Sequence, residues 1–547
     1  MSAAPGPAAE EEDGGEFDVV VVGAGSAGCV LAGRLSEDPA LRVLLLEAGG
    51  SDDVLEVQVP AALYKLWRTR RDWNYTTEPQ PGLGGRRLFW PRGKLLGGSS
   101  SINAMIYVRG ARCDYDEWAE LTGDPCWSSE NVLPLFRRTE DNARGADASH
   151  GAGGPLRVED PRSPHPWSRA AVQAAVAAGH PRNDDFNGPR QEGAGLYQLT
   201  QRRGRRWSAA DAYLRPAEGR PNLTVRTGAL ATRVLVSAGR ATGVEYRRGG
   251  RRHTVAAAAE VVLAGGAVNS PQLLMLSGIG PAAHLREVGV DVVHDLPGVG
   301  SGLQDHPLVP VIWPTRSGRS LFRGESPWGY ARWFAARRGP LSSNLAEAGL
   351  FSRSRPGLPA PDLQFHFLPV EFWRQAEADP HVDAFTAAAT LVRVHSRGTV
   401  RLRSADPTWA PAIDPGYLTD ERDLDALVCG VEQAREIAAT PPLAAVLGEE
   451  RSPGPAVPTA EGLRRAVRDT VESLYHPASS CRMGVDDDAV VDPRLRVHGL
   501  DGLRVVDASV LPTLVRGNTH APTLMVAERA ADLITGRTVD PRLSGTA

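Results

Sequence analysis

Three groups of residues could carry chemistry in this chain. Gly23-Ala24-Gly25-Ser26-Ala27-Gly28 is followed, about twenty residues on, by Glu47. Gly23 suits a tight turn, Gly25 lets backbone amides reach a pyrophosphate, and Gly28 allows a helix to pack closely on a strand. Glu47 can accept hydrogen bonds from a ribose, and Ser26, Ala27 and the following Ala48 are counted with the same site. A second group, Gly97-Gly98-Ser99-Ser100-Ser101, offers N–H and O–H donors on a backbone able to approach a flat or charged ligand. The third is a pair of imidazoles, His476 in Tyr475-His476-Pro477 and His520 in Gly517-Asn518-Thr519-His520-Ala521-Pro522-Thr523. With an ordinary pKa of about 6.5, a histidine can accept a proton near neutral pH. Taken alone, each is more readily a structural side chain.

The flanking patterns supply elements that would position these groups. Asp18–Val22 is a continuous apolar run, as in a strand buried on both faces, and Cys29–Leu35 reads as a helix. Arg42–Leu46 is a second apolar strand ending at Glu47. The whole is the strand–Gly-x-Gly-x-x-Gly–helix–strand–acid unit of a dinucleotide site, whose helix N-terminus faces the phosphates; it does not separate NAD from FAD. Val261–Ala264 is another buried strand, leading to a helix expected to open near Ser270-Pro271. Leu223–Val255 alternates around Gly239 and Gly249-Gly250 as hairpins do. Leu503–Val506 is a strand and Thr523–Ile534 a helix. Gln364–Phe367 and Val394–Gly398 read as strand pieces, with His366 and His395 as satisfied interior or rim histidines.

The 547 residues suffice for two or three domains, and 42% hydrophobic with 23% charged residues is ordinary for a globular protein. A net charge of −4 gives no case for a nucleic-acid partner. Cys29, Cys113, Cys126, Cys429 and Cys481 show neither zinc-ligand spacing nor a disulfide framework, and no metal is expected. Met1–Glu16 is Ala/Pro/Gly-rich, acidic and unlike a signal peptide, so a disordered lead-in is expected. No stretch has the apolar length of a membrane span, and a cytoplasmic location is expected.

Longer motifs narrow the reading. Gly93-Lys94-Leu95-Leu96-Gly97-Gly98-Ser99-Ser100-Ser101-Ile102-Asn103 resembles the first signature of the glucose–methanol–choline (GMC) oxidoreductases, and Gly266–Gly280 is similar to the second. Arg109-Gly110, Asp114–Trp118, Gly300–Pro307 and the region from Tyr475 onward also match, so the resemblance spans nearly everything after Glu16.

The resemblance implies a mixed α/β fold with a Rossmann-like FAD-binding domain and a sheet-and-helix substrate-binding domain. The FAD domain is expected at 17–163, 217–308 and 471–540, the substrate domain at 164–216 and 309–470, and a tail at 541–547. It decides FAD over NAD and adds Gly93, Gly98, Ser99, Asn103, Ala104, Met105, Ile106, Ala231, Asp507, Ala508, Pro522 and Thr523 to the cofactor site. It makes His476 the general base and His520 the residue that holds the substrate oxygen or shares its proton. The helix after His520 would direct its positive end at the flavin. Ile102 stands where some relatives carry a histidine linked covalently to FAD, which implies a dissociable cofactor. Asp305-His306 lies on a signature away from the catalytic positions and reads as scaffolding.

The implied activity is oxidation of a CH–OH group, with an alcohol as substrate and oxygen or another carrier as electron acceptor. Alternatives within reach of the same motifs are a hydroxynitrile lyase-like enzyme and a non-enzymatic flavoprotein. Trp328, Trp333 and Glu347 are candidates for an ammonium cage, should the alcohol be choline.

Overall fold

The computed structural model describes residues 11–12, 16–372, 382–454 and 459–537. The apolar run forms strand β1, Phe17–Val22, and the glycine turn leads into helix α1, Ser26–Leu35, three residues ahead of the expected start. Strand β2 spans Val43–Glu47. Then come β3 (Leu223–Thr227), β4 (Leu230–Ser237), β5 (Arg240–Arg248), β6 (Arg251–Leu263), helix α2 (Gly266–Leu276), β7 (Leu503–Val505) and helix α3 (His520–Thr535).

These strands build one sheet in the order β3-β2-β1-β6-β5-β4, with β7 also on β6. The long strand β6 serves two neighbourhoods. Its second half runs parallel to β1 and β7, pairing Val262 with Val21 and Arg504, while its first half is antiparallel to β5. The hairpins turn at Gly239 and Gly249-Gly250 as expected, whereas β3 is a parallel edge strand beside β2. Glu11–Glu12 pairs with His253–Thr254, so this part of the expected lead-in is ordered. Residues 1–10 and 13–15 of the lead-in, and the tail 541–547, lie outside the described residues.

A second sheet is antiparallel, with strands in the order 472–473, 307–314, 384–391, 363–368, 348–352 and 193–196. Glu421–Ala438 is a helix packed on this sheet. Side chains two apart share a strand face, so Gln364, His366 and Leu368 point one way and Phe365 and Phe367 the other. His366 and Leu368 line a large cavity, Gln364 lies behind its wall against Tyr197 and Asn518, and Phe365 and Phe367 enter the apolar core.

Two local expectations are corrected. Helix α2 opens at Gly266 and carries Pro271 inside it rather than at its first turn. A proline there cannot donate to the carbonyl four residues earlier, and that carbonyl, of Ala267, accepts from Ser480 Oγ at 2.6 Å instead. Val394–Arg397 is not a strand, which begins only at Gly398. The amides of His395 and Ser396 donate to the Asp423 carboxylate at 2.9 and 2.8 Å, so they are diverted from any ladder.

Ser480→Ala leaves the Ala267 carbonyl buried without that donor, a loss of roughly 1–3 kcal/mol. The expected outcome is a lower urea-unfolding midpoint at unchanged slope, measured on the cofactor-free protein.

Candidate active site

The cavity, of about 550 Å³, is walled at one end by the glycine turn and by Glu47, Ala48 and Ala231, and its wall continues to His476, Asn518 and His520. Close backbone approach builds the first part. Gly23 has φ +101°, and a Cβ on it would lie 2.6 Å from the Ala264 carbonyl oxygen. The second glycine segment crosses directly over the first: Gly97 N–H donates to the Ala24 carbonyl at 2.8 Å, and a Cβ on Gly98 would meet Gly25 Cα at 2.7 Å. Only main chain fits at that crossing.

Glu47 accepts from the amides of Ala24 (2.8 Å) and Gly49 (2.7 Å), and burial pushes its carboxyl up to about 7. Each oxygen keeps a further lone pair for a ligand hydroxyl. Asp507 accepts from Gly266 N–H and Ser270 Oγ, tying β7 to the start of α2.

His476 sits on a constrained turn. Tyr475 and Ser479 have φ of +65° and +71°, left-handed values that cost non-glycine residues on the order of 1 kcal/mol or more. Three hydrogen bonds hold the turn. His476 N–H donates to Asp305 Oδ1 (2.6 Å), Tyr475 N–H to Ser473 Oγ (2.8 Å), and Arg92 Nη2 to the Tyr475 carbonyl (2.6 Å). The imidazole meets His306 at 3.0 Å, Nδ1 to Nδ1, and Asn518 Nδ2 at 3.3 Å from its Nε2. Burial holds its pKa well below the ordinary histidine value, helped by the neighbouring His306, His366 and Arg92. Its resting state near neutral pH is therefore the neutral base.

His520 goes elsewhere. It is the first residue of α3, and its Nδ1 lies 3.0 Å from Ser26 Oγ in the glycine turn. Burial, with the Arg206 guanidinium nearby, pushes it down to about 4. Its Nε2 is buried without a protein partner. An unpartnered polar atom on a cavity wall, beside a glycine cradle and a helix N-terminus, fits an anionic or polar cofactor.

Residues 17–308 and 394–527 match the description GMC oxidoreductase. A GMC-type oxidoreductase of Mycobacterium tuberculosis is 48% identical over 530 residues, 95% of this chain and 99% of that protein. The mitochondrial choline dehydrogenase of Homo sapiens is 45% identical, covering 97% of this chain and 91% of its own. Pyridoxine 4-oxidase from Mesorbium loti superposes with a TM-score of 0.88 at 35% identity, over 94% of this chain and 98% of that one.

The chain belongs to the GMC oxidoreductase family. It is thus an FAD-type flavoprotein and an oxidoreductase of CH–OH donors, with a Rossmann-like part and a substrate part.

In this GMC fold the cavity wall includes Gly23, Gly25, Ser26, Ala27, Glu47, Ala48, Gly93, Gly98, Ser99, Asn103, Ala104, Met105, Ile106, Ala231, Asp507, Ala508, Thr523 and both histidines. Gly28 and Pro522 are buried but not on the wall. A Cβ on Gly28 would collide with the Gly23 carbonyl oxygen at 1.8 Å, so Gly28 shapes the turn from behind.

The side chain that meets His476 Nε2 on the cavity wall is Asn518, two residues before His520 in the motif quoted for it. Nothing in composition separates these neighbours; only the approach of the chain to α3 does. Asp305 and His306, read as scaffolding, both touch His476. His366 is not a satisfied interior histidine: its Nδ1 is 3.3 Å from Thr390 Oγ1, and its buried Nε2, in a side chain on the cavity wall, has no partner. Trp328, Trp333 and Glu347 do not line the cavity; Trp328 is exposed, Trp333 is buried, and Glu347 accepts from His165 N–H and Ser168 Oγ.

Burial pushes His366 down to about 3, so the folded protein keeps it neutral while the unfolded chain titrates it near 6.5. Such a depressed base contributes stability above pH 6.5 that is lost as pH falls toward 3. Below about pH 6 this histidine alone gives a slope of about 1.4 kcal/mol per pH unit. His366→Gln should reduce the acid-side slope of cofactor-free stability by that amount, read from urea unfolding between pH 4 and 6.

Proposed function

We propose that this protein oxidises an uncharged alcohol of modest size to the aldehyde or ketone, using a non-covalently bound FAD. The observation that carries the reading is a neutral, half-buried imidazole, His476, on the wall of a cavity that also contains a dinucleotide cradle. The glycine turn and the first amides of α1 would hold the pyrophosphate, Glu47 the ribose, and the backbone near Ala231 the adenine. Ile102, on the same wall, has no nucleophile with which to form a covalent link. Bound FAD supplies the acceptor for the hydride that leaves the alcohol carbon. The division into cofactor and substrate parts follows the two sheets.

Oxidation also requires that the hydroxyl lose its proton. His476 Nε2 takes it, and Asn518, whose Nδ2 lies 3.3 Å from that nitrogen, has a second amide proton to donate to the substrate oxygen. His520 serves the cofactor side through Ser26.

Leu308, Leu368, Val370 and Ala388 give the substrate part of the wall an apolar character. Among the described residues the lining carboxylates are Glu47, Glu371 and Asp507. Glu47 and Asp507 are engaged by backbone amides, and Glu371 is paired with Arg451 at 2.5 Å. Among the described residues no lining carboxylate is left unpaired to meet an ammonium group, which favours an uncharged alcohol over choline.

Two measurements test the cofactor site. FAD should leave intact on heat or acid denaturation, and flavin retained by the precipitated chain would contradict a dissociable cofactor. Glu47→Ala should weaken FAD binding by about 10- to 150-fold, the worth of a charge-assisted hydrogen bond, with little change in the chemistry of the loaded fraction.

Anaerobic stopped-flow tests the chemistry. Alcohols should bleach the flavin absorbance, which neither a lyase nor a binding protein would do, and a panel assayed with oxygen and an artificial acceptor should rank uncharged alcohols above choline. His476→Ala should slow reduction by roughly 10²–10⁴-fold with FAD bound, and the wild-type rate should fall only on the acid side of pH 6.5. Asn518→Ala should slow reduction at unchanged FAD affinity, whereas His520→Ala should act mainly on FAD affinity. Wild-type reduction in His476→Ala removes it as the base.

A further inference from the structure

Around His476 the hydrogen-bond partners form a line whose direction can be read from one end. Tyr197 OH lies 2.7 Å from the Phe365 carbonyl, which can only accept, so the phenol donates there. Its oxygen must then accept from Gln364 at 3.1 Å, which puts the amide nitrogen of Gln364 on that side. The same Nε2 has a second proton, and it reaches Asn518 Oδ1 at 3.2 Å. With its oxygen committed, Asn518 presents Nδ2 to His476 Nε2. A donor facing that nitrogen requires a lone pair on it. The ring proton of neutral His476 is then on Nδ1, and it donates to His306 Nδ1 at 3.0 Å.

We propose that this one-way chain, anchored on the Phe365 carbonyl, fixes His476 in the tautomer whose Nε2 lone pair faces the cavity, with Gln364 and His306 as positioning residues. The proposal rests on His476 being the base, because only then does the location of the lone pair matter. A base with its proton on Nε2 would have nothing to offer the alcohol hydroxyl. The side chains of Tyr197, Gln364, Asn518 and His306 are all buried, so water does not offer the amides an easy alternative. Gln364 belongs to this chain because it shares a strand face with His366. His306 belongs to it because Asp305, its neighbour, binds the backbone of His476.

Ring-¹⁵N-labelled holoprotein provides the test, with the His476 signals assigned by their loss in His476→Gln. The wild type should show a protonated Nδ1 and a lone-pair Nε2. Gln364→Glu is nearly isosteric but cannot donate when ionised, so it should turn Asn518 around, present Oδ1 to His476 and move the proton to Nε2. Flavin reduction in that variant should fall roughly 10²-fold or more with FAD bound. His306→Leu, which removes the acceptor, should mix the tautomers, and His306→Gln, which restores an acceptor, should recover part of both tautomer and rate. A wild-type proton on Nε2 overturns the proposal, as does Gln364→Glu with unaltered tautomer and rate. The wild-type spectrum decides even if a variant fails to fold. If His476→Gln reduces flavin normally while the spectrum shows the stated tautomer, the assignment of the base fails and the chain of bonds stands.

Discussion

A buried carboxylate, Asp305, is the group on which the arrangement of the active site depends. It accepts from the Tyr417 hydroxyl, the Ser473 hydroxyl and the His476 amide. Three donors offset much of the cost of removing an acid from water, although burial still raises its pKa to about 6. Those donors come from two stretches of chain, Tyr417 and the segment 473–476, and Tyr417 is itself held by Trp90 Nε1 at 3.1 Å. Asp305 also stands two residues before Pro307, where the chain enters the antiparallel sheet. The turn bearing His476 is thus fixed relative to the sheet bearing His366 and Gln364. Asp305 thereby joins Ser473 and Arg92 in supporting the left-handed backbone of Tyr475, and it alone ties the His476 amide to the residue next to His306.

The opposite end of the cavity obeys a different constraint, exclusion of side chains. Parallel strands β1, β2 and β6 end side by side, and ligands bind at such carboxyl ends. Two glycine segments, 23–28 and 93–98, cross there with no room for a Cβ at several positions. The result is an array of backbone donors held by main-chain packing alone. Proton chemistry needs titratable groups tuned by burial, while phosphate binding needs amides at close range. The chain provides the two at opposite ends of one cavity.

The glycine turn, strands β1 and β2 and the acid Glu47 were legible in the sequence because each is a local pattern whose period or steric demand has one solution. The longer GMC motifs were legible for another reason, as strings rather than as physics. What escaped was set by partners distant in the chain. The place of Asn518 beside His476 depends on how residues 515–520 enter α3, and no periodicity distinguishes it from His520. The start of α2 was misplaced because the carbonyl left free by Pro271 is rescued by Ser480, more than two hundred residues later. The strand expected at 394–398 gave way to a carboxylate at 423. His306 looked like scaffolding because the histidine it touches lies 170 residues away.

Strand β7 and helix α3 have a consequence for how this protein is made. The ribosome releases residues 17–263 long before 503–535, so one edge of β6 waits unpaired through most of the synthesis that remains. An exposed parallel edge next to Val261, Val262 and Leu263 is an invitation to the wrong strand. The cofactor cradle is likewise unfinished until Asp507 reaches Gly266 and His520 reaches Ser26. For a cell producing this protein, that edge needs cover until residues 503–505 arrive to pair with it.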